Sequence, residues 1–209
     1  MTVERRQQIL EEASALFAEG GYDGTSIRGI AKACGITEAA IYRHFSSKAH
    51  LYEEVIRAKA AQHDIPGILE AQDAGGTMEE TLRAVAFSVL DLAKTDPQLM
   101  RLMTSNSMDS GPVGPILFRE IRLPFIDYLA GKLQRRMDAG DIRPVDPLIT
   151  ARCFVGMVMD CALCTGVWKK LNDQRFQASD VVCNNVPIFA RGLQPADAIG
   201  PPGHSGSLS

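Results

Sequence analysis

Residues 25–45 read TSIRGIAKACGITEAAIYRHF, and this stretch decides the fold. Ile27, Ile30 and Ala31 recur at three- and four-residue spacing, which puts them on one side of a short helix. Thr25 can cap that helix, because its hydroxyl can accept from an amide left free in the first turn. Gly35 ends it, and Thr37 follows as the next cap candidate. From Thr37 to Phe45, the residues Ala40, Ile41 and Phe45 can face inward. Neither helix can bury a core alone, so the two must pack on each other across a tight turn. That is the arrangement of a helix-turn-helix, whose second member lies in the major groove of double-stranded DNA.

Working outward, residues 4–19 form a supporting helix with Ile9, Leu10, Ala13, Leu16 and Phe17 inward, stopped by Gly20 and Gly21. Ser46 or Ser47 caps a fourth helix that carries Leu51, Tyr52, Val55 and Ile56. Beyond residue 60 the helices lengthen. They run over 77–94, around Leu99–Met103, over 116–138 with a kink or break at Pro124, from Asp146 to about Trp168, and over 173–191. Ser105–Pro115 holds two glycines and two prolines and reads as a loop. The run from Gln194 to Ser209 is rich in Pro, Gly and Ser and reads as a disordered tail. No run alternates with strand period, so the fold class is all-α.

Composition narrows the function. The chain has 209 residues, 45% of them hydrophobic, enough for one or two domains with a real core. No signal peptide is expected, and the apolar run Phe154–Trp168 falls short of a membrane span. Five cysteines suggest a reducing compartment rather than a disulfide framework. There is no Gly-rich phosphate loop, metal-ligand cluster or nucleophile motif, so an enzyme is not expected, nor a cofactor or metal. The formal net charge is -3, and residues 1–59 balance eight Lys/Arg against eight Asp/Glu. Phosphate contact must then come from a few well-placed donors.

The stretch from Ile9 to Ile56 resembles the N-terminal domain of the TetR/AcrR family of bacterial transcriptional regulators. Ala13, Leu16, Phe17, Gly21 and Tyr22 resemble its first helix and exit, and Thr25, Ser26, Ile27, Ile30 and Ala31 its second helix. Gly35, Ile36 and Thr37 resemble the turn, and Ile41–Phe45, Lys48 and Leu51 the recognition helix and the start of the fourth. The resemblance implies an N-terminal three-helix helix-turn-helix domain (1–55), a larger C-terminal helical ligand-binding and dimerisation domain (56–193) and the tail (194–209). It implies a bacterial, cytoplasmic, homodimeric repressor that binds a palindromic operator and is released by a small apolar effector. The alternative is a helical protein-interaction module that has lost sequence-specific DNA binding.

On that resemblance, the DNA-facing set is Thr25, Arg28, Thr37, Glu38, Ala39, Tyr42, Arg43, His44 and Lys48. Tyr42, Thr37 and Lys48 would hold phosphates, and Arg28 could reach a base or a phosphate. Glu38 departs from the Lys or Arg common at that position. It repels phosphate, but it could accept from a cytosine amine or simply suit the helix dipole. Helices near 146–168 and 173–191 would make the dimer. Phe154, Val155, Val158, Met159, Leu163 and Val167 make the first apolar around much of its surface, more than one packing face requires, and the second offers Phe176, Val181, Val182, Val186 and Phe189. The effector set is Phe87, Leu90, Met100, Met103, Met108, Phe118, Phe125, Tyr128, Met157, Asp160 and Cys161. Asp160 would need a cationic partner if buried, with Arg119, Arg122 and Arg152 available. Cys161 and Cys164 have redox or metal spacing, but buried thiols filling space are the simpler account.

Overall fold

The computed structural model describes residues 2–73, 76–104, 113–166 and 177–195, and all regular structure among them is helical. The helices are α1 (Thr2–Gly24), α2 (Ile27–Ala33), α3 (Glu38–Tyr42), α4 (Lys48–His63), α5 (Ile65–Gln72) and α6 (Met78–Thr95). They continue as α7 (Pro97–Thr104), α8 (Val113–Leu117), α9 (Leu123–Asp138), α10 (Pro147–Gly166) and α11 (Ala178–Leu193).

The head is built on the residues that the periodicity selects. Ile9, Ala13, Phe17, Ile30, Ile41, Phe45, Leu51 and Tyr52 are buried together. Phe17 and Tyr22 both meet Tyr52 edge-on, at 5.0 and 5.4 Å between ring centres. The first helix is broken at Gly21, whose φ of 71° lies where a Cβ is strained, so the expected stop is a break followed by one last turn to Gly24. Gly35, at φ 63°, makes the turn between α2 and α3.

One cap differs from expectation. Ser26, not Thr25, caps α2, accepting from the Gly29 amide. Thr25 is buried, and its hydroxyl donates to the carbonyls of Gly21 (2.8 Å) and Leu16 (3.0 Å). It therefore ties the end of α1 to α2.

Helix α4 runs without interruption through residue 55, where the second domain was expected to begin, and packs on α1, α5 and α8. Asp64 then takes a left-handed conformation (φ 36°) and caps α5. Two buried carboxylates knit the helices that follow. Asp96 caps α7 through the Leu99 amide (2.9 Å) while pairing with Lys59 (3.2 Å) and His63 (3.0 Å) of α4. Asp73 accepts from Lys132 (2.9 Å), Thr81 (3.2 Å) and Tyr128 (2.9 Å), joining α5, α6 and α9. Helix α6 lies at the centre, against α5, α7, α9, α10 and α11.

The helical run expected over 116–138 is two helices joined by a π turn, Phe118–Arg122. The Leu123 amide reaches back to the Phe118 carbonyl. The wider turn lies just before Pro124, which has no N–H and whose ring crowds the preceding turn of a regular helix. The expected loop 105–115 is partly helical, since α8 begins at Val113; residues 105–112 lie outside the described residues. So do Val167, Trp168, Phe176 and 196–209, and with them most of the tail expected over 194–209.

Helix α10 is long and apolar enough to cross a membrane by length and composition alone, and 33% of that window is buried within the chain. It packs on α6, α9 and α11, as a core helix does. Most of the apolar residues that make these two helices apolar on more than one side face the subunit's own core. Phe154, Val155, Val158, Met159, Val181, Val182 and Val186 are buried, and Phe189 meets Phe154 edge-on at 5.1 Å. Among the described residues, the exposed large apolar side chains on these two helices are Leu148, Ile149 and Ile188.

Candidate DNA interface and effector region

The turn between α2 and α3 sets the geometry of the DNA-facing surface. Thr37 caps α3 by accepting from the Ala40 amide at 3.3 Å. Ile41 is then fully buried, so Glu38, Ala39, Tyr42 and Arg43 emerge on the opposite, exposed side. Tyr42 leaves 51% of its surface open, so its ring does not close the small core. Arg28 is exposed on α2, and His44 is half-buried beside Phe45.

Lys48 opens α4, following the Ser47 cap, and its Nζ sits 4.2 Å from the centre of the Tyr22 ring. A cation at a helix N-terminus has the wrong sign for the helix dipole. The dipole therefore does not favour a lysine here, and its contact with the Tyr22 ring offsets that.

The neutral charge count of the head conceals a separation. Residues 25–48 contain four Lys/Arg and one acidic residue, Glu38. The carboxylates farther along are engaged elsewhere. Glu54 pairs with Arg6 and Arg57, and Glu53 pairs with Arg57 (2.8 Å) and Arg119 (2.7 Å). Glu120 joins Arg57 (3.4 Å) to Arg119 (2.9 Å). The nearby carboxylates, Glu53 foremost for Arg57 and Glu120 for Arg119, hold both guanidinium groups above their ordinary range. This chain of pairs runs from α1 through α4 to the π turn.

Thr25 is the DNA-side candidate that the structure turns inward. Ser26, exposed at the start of α2, is the polar group that sequence reasoning passed over, although a Ser just before an apolar helical run is itself a cap signal.

The effector-side candidates do not share one chamber. Leu90, Met100, Met103 and Phe125 are buried in the continuous core. Phe118, Tyr128, Met157 and Cys161 are half-buried. Phe87 is exposed on the outer stripe of α6 with Asp91 and Lys94, because the helix turns its other sides to its neighbours. Asp160 is exposed on α10 and so needs no buried partner; Cys164 lies 3.9 Å from it. Tyr128 spends its hydroxyl on Asp73 and the Leu69 carbonyl. Met108 lies outside the described residues. Phe125 lines a cleft with His63, Ile65, Ile68, Ser88 and Leu92.

Burial, with Asp160 and Cys164 beside it, pushes the Cys161 thiol up, which disfavours the thiolate that redox or metal chemistry needs. Among the described residues no group of three His, Cys, Asp or Glu could hold a metal ion.

A capped helix pair with a positive exposed face, carried on a larger helical body, defines a helix-turn-helix DNA-binding transcription regulator. Residues 9–55 match the tetR family of bacterial regulatory proteins, and residues 80–191 match the C-terminal domain of AefR-like transcriptional repressors. The second match alone spans more than half of the chain, and the chain belongs to the tetR family.

Relatives include the uncharacterized HTH-type transcriptional regulator YhgD of Bacillus subtilis, 22% identical over 77% of this chain and 85% of that protein. The HTH-type transcriptional repressor AcnR of Corynebacterium glutamicum is 28% identical over 74% of this chain and 78% of that protein. Among solved structures, FadR of Bacillus subtilis in complex with stearoyl-CoA has a TM-score of 0.71 at 20% identity, covering 90% of this chain and 99% of that one. AibR in complex with isovaleryl coenzyme A and operator DNA has a TM-score of 0.58 at 25% identity, covering 89% and 98%.

Proposed function

We propose that the protein is a homodimeric repressor that grips a palindromic operator with α2 and α3 and releases it when a small, largely apolar effector binds the helices beyond α4. The observation that carries the reading is the exposed face of residues 25–48, with its net positive charge and its unburied Tyr42. Ser26, Arg28, Thr37, Tyr42, Arg43, His44 and Lys48 hold phosphates, while Glu38 and Ala39 meet base edges. Residues 1–55 act as the reading head and 56–193 as the receiver and dimer unit, joined by the continuous α4. The protein works in the bacterial cytoplasm and acts by binding, not by catalysis. AcnR is named a repressor, which supports the sign of the regulation. AibR, held with both an acyl thioester and operator DNA, supports an acyl-type effector.

A short reading head buries only about 600–1,000 Å² on DNA, so two-fold pairing supplies the specificity that one head lacks. Leu148, Ile149 and Ile188 are the exposed apolar residues on α10 and α11 that a second subunit covers. The pairs Glu53–Arg119 and Arg57–Glu120 tie α4 to the π turn. An effector that shifts this turn therefore moves α4 and the spacing of the two heads, and it favours the state that no longer fits the operator. The test is fluorescence anisotropy of a labelled operator with and without acyl-CoA esters of graded length. Release by at least one ester is expected. Identical operator affinity at saturating concentrations of all of them contradicts an acyl-type effector.

A further inference from the structure

The two arginines on the π turn have opposite fates. Arg119 is neutralised by Glu53 and Glu120. The guanidinium of Arg122, half-buried at the end of the same turn, makes no hydrogen bond or ion pair among the described residues. Its charged neighbour is a second cation, Arg152 of α10. Burial, and then the charge of Arg152, hold the Arg122 guanidinium below its ordinary range, with no carboxylate offsetting them among the described residues. Arg152 lies over the Phe118 ring, 4.9 Å from its centre, so this guanidinium is held against the turn.

A half-buried cation with no partner among the described residues, and a like charge as its electrostatic neighbour, destabilises the fold. Phe118 and Arg122 are four residues apart on one π turn, and the exposed Arg152 guanidinium lies on the Phe118 ring. Two guanidinium groups on that side of the turn are suited to anionic oxygens, which they bind by charge-assisted hydrogen bonds.

We propose that Arg122 and Arg152 form an anion-recognition site for the head group of an amphipathic, acyl-type effector whose apolar part lies toward Phe118. This rests on the reading of an apolar effector given above. It adds that affinity depends on a negative charge at one end of the ligand. The anionic oxygens could be those of a free carboxylate or of the phosphates of a thioester. The site also joins effector to head, since the turn that carries Arg122 is the one that Arg119 and Glu120 tie to α4.

The test uses delipidated full-length protein and the variants Arg122→Gln and Arg152→Gln, with palmitate, palmitoyl-CoA and neutral hexadecanol as probes. Without ligand, Arg122→Gln is expected to melt at or above the wild-type temperature, because a repelled, half-buried charge is gone. A structural anchor would instead lower the melting temperature, and that result overturns the proposal. In calorimetric titrations the wild type is expected to bind an anionic probe at least about tenfold more tightly than hexadecanol. Each variant should lose about tenfold or more for that probe and nothing for hexadecanol. Loss for palmitate points to a carboxylate, and loss for palmitoyl-CoA alone points to phosphates. If wild type and variants bind charged and neutral probes alike, the anion site is wrong while the apolar effector stands. If none of the three probes binds, the acyl-type effector fails, and pyrophosphate decides the site. Thermal stabilisation of wild type but not of Arg122→Gln supports it, and equal response refutes it.

Discussion

Replacing Lys48 by Gln tests how this head holds DNA. The lysine stands at the first position of α4 with its Nζ 4.2 Å from the Tyr22 ring centre. Each lysine that neutralises a phosphate steepens the fall of log affinity with log salt by about 0.9. A dimer presents two, so Lys48→Gln should flatten the slope by about 1.8. Between about 50 and about 200 mM salt that difference amounts to roughly tenfold, so the deficit of the variant narrows about tenfold across the range. The loss should be uniform across operator variants, because a phosphate contact carries no sequence information. Fold stability should fall by no more than about 1 kcal/mol, the scale of one exposed cation–aromatic contact. The assay is fluorescence anisotropy with a labelled operator over a salt series, with a denaturant melt as control. Parallel salt lines for wild type and variant would refute the assignment, because Lys48 would then touch no phosphate.

Asp96 sets an acid limit. Burial alone would raise its carboxyl, but hydrogen bonds from His63, the Leu99 amide and Lys59 outweigh that and hold it below the ordinary range. Its stabilisation is therefore complete above the unfolded value of about 4 and is lost as pH falls through the lowered folded value. Asp96→Asn should destabilise at neutral pH and flatten the acid limb of stability against pH; an unchanged limb would contradict this. Asp73→Ala leaves Lys132 without its closest partner, a loss on the order of 3 kcal/mol. That is the low end for a broken buried pair, because Lys132 keeps some access to water and Glu70 at 3.7 Å. Urea unfolding measures it, and a loss under about 1 kcal/mol would show that the cluster contributes little. Glu38→Gln removes the acidic group of residues 25–48. Affinity for random duplex should rise a few-fold and the operator-to-random ratio should fall, and a competition gel shift that finds neither would leave Glu38 only its place at the start of α3.

The head was largely legible because its signals are local. Ile27, Ile30, Ile41 and Phe45 are buried where helical period puts them, and Gly35 has the positive φ expected of a helix stop. What was misread depended on which side faces what. Thr25 and Ser26 are both adequate caps by chemistry, and packing against the end of α1 decided between them. In α10 an almost wholly apolar sequence gives no sign of orientation, so it does not tell that Phe154 and Val158 serve the subunit's own core while Leu148 and Ile149 are exposed. Whether Asp160 is buried, which sequence leaves open, and that Phe87 lies on an outer stripe are decided likewise by neighbouring helices far away in sequence. Helix α5 escaped notice because it starts at an unusual left-handed Asp64. The positive balance of residues 25–48 was hidden by averaging charge over 59 residues, seven of whose eight acids lie outside that stretch, with Glu53 and Glu54 paired to arginines. That Arg122 has no ion-pair partner among the described residues could only emerge from three-dimensional neighbours.

Selection of bound sequences from a random double-stranded library decides whether this chain reads a palindrome through the face formed by residues 25–48. An enriched two-fold symmetric site is expected, with half-sites about 10 base pairs apart, centre to centre, or a multiple of that spacing. Recovery of no enriched sequence, or of a single unpaired half-site, would contradict it.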